Sequence, residues 1–95
     1  MMNNRQESAQ IVALQALGWI AGQDDLFARF LGQAGTDAAT LRAGASDPAV
    51  LGAVLDFLLS DEPVLLQFCA DAGLPPQAPM QARAGLPGGD LPHWT

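Results

Sequence analysis

The chain contains no lysine and no tyrosine, and it has a single cysteine, Cys69, and a single histidine, His93. It also lacks a Gly-rich phosphate loop and any Ser-His-Asp set. Most acid–base and nucleophilic mechanisms therefore have no residues to perform them, and the chain reads as a non-enzyme. One cysteine cannot close an intramolecular disulfide, so a disulfide scaffold is excluded and a reducing cytoplasm fits. A nucleophilic thiol needs a base beside it. Cys69 sits between Phe68 and Ala70 on a predicted apolar face, and an inert core thiol suits it better. One histidine makes no metal site without further ligands, so no metal and no cofactor is expected.

Positive charge is scarce. Four arginines face ten acidic residues, for a net charge of −6. Such a surface repels phosphate backbones and anionic lipid, so nucleic acid and membranes are disfavoured partners. No uncharged apolar run approaches the roughly 20 residues that span a bilayer. The first residues, Met-Met-Asn-Asn-Arg-Gln-Glu-Ser, lack an apolar core behind a basic region, and a cytoplasmic protein is expected.

Apolar residues, by contrast, make up 49% of the 95, against 15% charged. That is rich for one small domain. Either the core is efficient, or apolar surface is kept for a protein partner or for self-association.

The chain is organised around Asp47–Phe68. Asp47 suits an N-cap, and Pro48 suits the first helical position. Val50, Leu51, Val54, Leu55, Phe57, Leu58 and Leu59 are apolar nearly all round, which predicts a buried central helix over 48–59. Ser60 or Asp61 caps the next helix, with Glu62 and Pro63 in its first turn.

Upstream, Ile11, Leu14, Leu17, Trp19 and Ile20 predict an amphipathic helix over 7–21. Asp24 or Asp25 caps a second, with Leu26, Phe27, Phe30 and Leu31 inward and Gly35 as its stop. A short third runs from Thr36 or Asp37 to about Ala45. Downstream, the fifth ends at Gly73, and a last helix follows Pro75 and Pro76. No segment shows sustained strand alternation. The fold class is all-α, a compact bundle of five to six short helices over residues 7–84. Residues 1–6 and the Pro- and Gly-rich 85–95 read as disordered flanks.

Shifting the chain by 38 residues sets Leu17 on Leu55, Trp19 on Phe57, Leu26 on Val64, Phe30 on Phe68 and Gly35 on Gly73. A duplicated helical unit fits this. So does the ordinary spacing of any small helical protein.

The remaining candidates are few. Asp56 inside the central helix needs a partner if buried, and Arg29 and Arg42 are the candidates. Asp24, Asp25, Asp61 and Glu62 stand at two helix starts, where capping explains them; EF-hand spacing is absent. Two segments, 30–43 and 68–77, have the look of helix-turn-helix units. Their second helices carry only Arg42 and Arg83, too few cations for a DNA reader. Trp94 beside His93 is either a disordered end or a docking segment.

Leu41-Arg42-Ala43, Asp47-Pro48, Val54-Leu55-Asp56-Phe57-Leu58-Leu59, Asp61-Glu62-Pro63 and Gly73-Leu74-Pro75-Pro76 together resemble the signature of a small bacterial, alphaproteobacterial-type helical family of unknown function. Trp19 and the segment 26–35 are similar too. Gly18, Gly44 and Pro79 depart from what the helices require. The resemblance implies a helical cytoplasmic protein with no assigned activity and no catalytic residues to transfer. The expected function is a protein-interaction or regulatory module. The alternatives are a helix-turn-helix regulator and a small-ligand or metal binder.

Overall fold

The structure is a computed structural model. It describes residues 4–86, with side chains from residue 6 onward. Six helices follow in order: α1 (Asn4–Ala21), α2 (Asp24–Ala34), α3 (Ala38–Ala43), α4 (Pro48–Leu59), α5 (Glu62–Ala72) and α6 (Ala78–Ala84). No strand occurs among the described residues.

α4 is the axis of the bundle, and its ends are set locally. Asp47 accepts a hydrogen bond from the Ala49 N–H at 2.9 Å, and Pro48 opens the helix. Leu51, Val54, Leu55, Phe57 and Leu58 are each at most 1% exposed. Burying each side chain contributes roughly 1.5–3 kcal/mol, so this helix supplies the largest share of the core. α1 and α6 pack against α4 and most extensively against each other. α2 and α5 each lean on both α1 and α4. α3 is a short side piece that sends Leu41 into the core.

α1 differs from the sequence expectation. Its inward side is Ala9, Ala13, Ala16, Leu17 and Ile20. Ile11 and Leu14, expected to face the core, are 59% and 45% exposed. The reason is steric. α1 is gripped by both α4 and α6, and alanines at positions 9, 13 and 16 let those helices come close, where Ile or Leu would hold them off.

The helix starts also refine the reading. α2 begins at Asp24, so its N-cap is Gln23, and no side chain caps it. Asp24 and Asp25 sit within the first turn instead of ahead of it. Asp37 and Asp61 do cap, accepting from the N–H groups of Thr40 at 2.8 Å and Val64 at 3.4 Å. Pro79 falls in the first turn of α6, where it is tolerated, and is buried. Gly85 and Leu86, expected to open the tail, are part of the body: Leu86 is buried in the core. Residues 87–95 lie outside the described residues, and so do residues 1–3.

The 38-residue offset is visible in three dimensions. Asp24 to Glu62 and Ala34 to Ala72 are the matching ends of α2 and α5, each 38 apart. Gly35 stops one at φ 70°, ψ 36°, and Gly73 the other at φ 71°, ψ 33°. Trp19 meets Phe68 edge-on at 5.5 Å, and Phe57 meets Phe30 edge-on at 5.4 Å. The offset converts one pair into the other with the partners exchanged. That crossed relation is what a two-fold axis between α1–α2 and α4–α5 produces. The third helices break it, because α6 packs on α1 and α4 while α3 has no comparable partner.

Candidate functional site

Two surfaces stand out among the described residues. The first is a groove of about 600 Å³ between α2 and α5. Trp19, Leu26, Pro63 and Val64 give it apolar walls, and Gln23, Asp24, Asp25, Arg29 and Gln67 line it with polar groups. Arg29 closes one side, donating to Asp61 at 2.7 Å while lying 5.6 Å over the Phe57 ring. The Arg29 hydrogen bond, helped by the Val64 N–H, holds the Asp61 carboxyl below its ordinary value. Trp19 donates its indole N–H to Asp71 at 2.8 Å, and Gln67 donates to the other oxygen of that carboxylate at 2.9 Å.

The second surface is the outer side of α1. Ile11 and Leu14 stand out on α1, and Met80 is 59% exposed on α6. A shallow cavity of about 540 Å³ lies between these helices, lined by Ser8, Ala9, Val12, Ala78, Gln81 and Ala82. Gly18, one turn beyond Leu14, has nothing within 4 Å of a Cβ built on it.

The structure gives the residues singled out from the sequence different places. Asp47, Pro48, Leu55, Phe57 and Leu58 build α4 and the core. Asp61 caps α5 and binds Arg29, and Glu62 is exposed in the first turn of that helix. Arg42 is exposed at the end of α3. Trp94 and His93 lie outside the described residues.

Asp56 takes a partner other than the two expected. Neither Arg29 nor Arg42 reaches it; Arg83 of α6 does, with Nε at 2.7 Å from Oδ1 and a second contact at 3.3 Å. Arg29 is held instead by Asp61. The Arg83 side chain is 19% exposed and Asp56 58%, so this is a surface-edge pair with a covered cation. Arg83 is thus turned against α4, which leaves the second corner without a cation to offer a phosphate.

Sequence reasoning missed Gly52 and Asp71, and it read Trp19 as an apolar helix position without its bond to Asp71 or its place in the groove. A Cβ on Gly52 would stand 3.0 Å from the Arg83 guanidinium. The available signal was a glycine interrupting an otherwise apolar helix. Cys69 is buried, and burial pushes its thiol pKa up, away from the reactive thiolate. Among the described residues, no three His, Cys, Asp or Glu side chains are grouped so as to hold a metal ion, and no helix is long and apolar enough to cross a membrane.

A family model described as protein of unknown function DUF3572 matches residues 6–89. The chain belongs to the DUF3572 family. The DUF3572 match takes in α2 to α6 whole and α1 from residue 6, so both surfaces lie within the family's own extent. No curated protein and no solved structure matches the chain.

Proposed function

We propose that this DUF3572 chain is a non-catalytic protein–protein interaction module of a reducing cytoplasm. One observation carries the reading: α1 packs inward through Ala9, Ala13, Ala16, Leu17 and Ile20 and turns two large apolar side chains, Ile11 and Leu14, outward. The core has no need of these two residues, which stand one turn apart on the same side of α1. A domain that folds without them keeps them for contact with another chain. Gly18 on the same side leaves room for a partner helix to approach. The buried thiol of Cys69 suits a reducing compartment.

The test uses tagged full-length protein, wild type against the double substitution Ile11→Gln, Leu14→Gln. Affinity capture from the native host is followed by mass spectrometry, and sedimentation records self-association. The reading expects a partner, or a dimer, with the wild type that is lost in a variant of unchanged melting temperature. Identical captures from both proteins, with both monomeric, count against it.

A further inference from the structure

The groove between α2 and α5 is lined by residues that the 38-residue offset exchanges, Arg29 with Gln67 and Leu26 with Val64, yet its two sides differ. Arg29 of α2 crosses to Asp61, the cap of α5, at 2.7 Å. Under the 38-residue offset, the equivalent crossing runs from Gln67 of α5 to Gln23, the cap of α2. No bond is made there. Gln67 turns to Asp71, and Gln23 turns to the Trp19 carbonyl. One side of the groove is closed by a cation and the other lacks one.

The open side is also the acidic side. Asp24 and Asp25 line the groove, and α2 is capped by no side chain, so neither carboxylate is used to cap it. Arg29, the cation of this groove, is already neutralised by Asp61. The α2 dipole sets about half a positive charge against the two carboxylates, which leaves the open side clearly negative. Trp19, Leu26, Pro63 and Val64 supply an apolar floor beneath it.

We propose that this groove docks a basic segment of a partner protein. An Arg or Lys side chain takes the vacant crossing beside Gln23, Asp24 and Asp25, and a neighbouring apolar side chain settles on the Trp19 floor. This deepens the interaction reading by adding a second surface with a partner chemistry of its own. Charge complementarity selects the occupant, because an acidic or phosphate-bearing segment would meet two carboxylates that the helix dipole offsets only in part.

The probe is a blocked eight-residue peptide of Arg, Leu and Ala, titrated into 15N-labelled full-length protein. The Trp19 indole N–H, hydrogen-bonded to Asp71, reports the groove directly. Its resonance should shift with saturation. Asp24→Asn, Asp25→Asn should weaken binding by about tenfold or more. Gln67→Arg should weaken it similarly by placing the chain's own guanidinium in the crossing. Glu7→Arg changes net charge by the same two units in the first turn of α1, and should leave affinity within about twofold. An unmoved indole, or equal weakening by Glu7→Arg, overturns the groove. The same peptide with Glu for Arg should not bind; if it does, charge is not the selector. A negative result here leaves the Ile11 and Leu14 capture experiment untouched, so the two failures are distinguishable.

Discussion

Arg83 reaches Asp56 by lying across Gly52, one turn earlier on the same helix. The guanidinium stands where a side chain at position 52 would be, and Nε ends 2.7 Å from the carboxylate. Gly52 and Asp56, four apart, make one receptor for one arginine, and that arginine ties α6 to α4.

This geometry makes the three residues energetically coupled. Gly to Ala inside a helix normally stabilises by about 1 kcal/mol. Here the added methyl displaces Arg83, so Gly52→Ala alone should return little of that gain. In an Arg83→Ala background the full gain should appear. Denaturant unfolding of the four proteins should give a coupling of about 0.5 kcal/mol or more. Strict additivity would show that Arg83 moves aside freely. Asp56→Asn alone should cost about 0.5 kcal/mol, since its side chain is largely exposed.

Gly35 and Gly73 offer a second test. Both have φ near +70°, and beyond the adjoining residues neither has an atom within 4 Å of a built Cβ. The penalty for Ala is then conformational alone, roughly 1–2 kcal/mol at each position. Gly35→Ala and Gly73→Ala should therefore destabilise by similar amounts in urea. A large disparity would mean the two stops are alike in angle but not in role.

Acid should weaken the fold through two particular carboxylates. The Thr40 N–H lowers the pKa of Asp37, and Arg29 chiefly lowers that of Asp61. A group with a depressed folded pKa stabilises above its unfolded value, about 3.9 for Asp, and loses that stabilisation as pH falls through the folded value. Stability should hold from neutral pH to near 5 and decline below 4. Asp37→Asn, Asp61→Asn should flatten that decline while lowering stability at pH 7, as read from melting temperature across pH. An unchanged acid limb would place its origin in other carboxylates.

The sequence made the local features legible. Asp47, Asp37 and Asp61 are caps because each precedes a helical run by the right interval, and Gly35 and Gly73 are stops for the same kind of reason. The apolar ring of α4 could only be buried. What stayed hidden depended on neighbours far along the chain. The inward side of α1 was misjudged because alanine scores weakly as apolar, and its value there comes from how near α4 and α6 approach. The partner of Asp56 is 27 residues away on a helix whose position no spacing predicts. Asp24 missed the cap by one residue, which is within the play of helix ends, and that shift left its carboxylate facing the groove. The crossed aromatic pairs could be suspected from the 38-residue offset, but apolar periodicity alone could not separate them from coincidence.

The grip of α6 on α1 has a consequence in time. During synthesis the alanine side of α1 leaves the ribosome before the helix that covers it, with four other helices made between them. Until α6 has left the ribosome, Ala9, Ala13 and the outer flank of α4 have no lid. The nascent chain holds an open, sticky half-core until α6 emerges, and only then can the layer of α1, α4 and α6 close. A nonsense codon before α6 therefore yields a product without this lid, with the alanine side of α1 left uncovered.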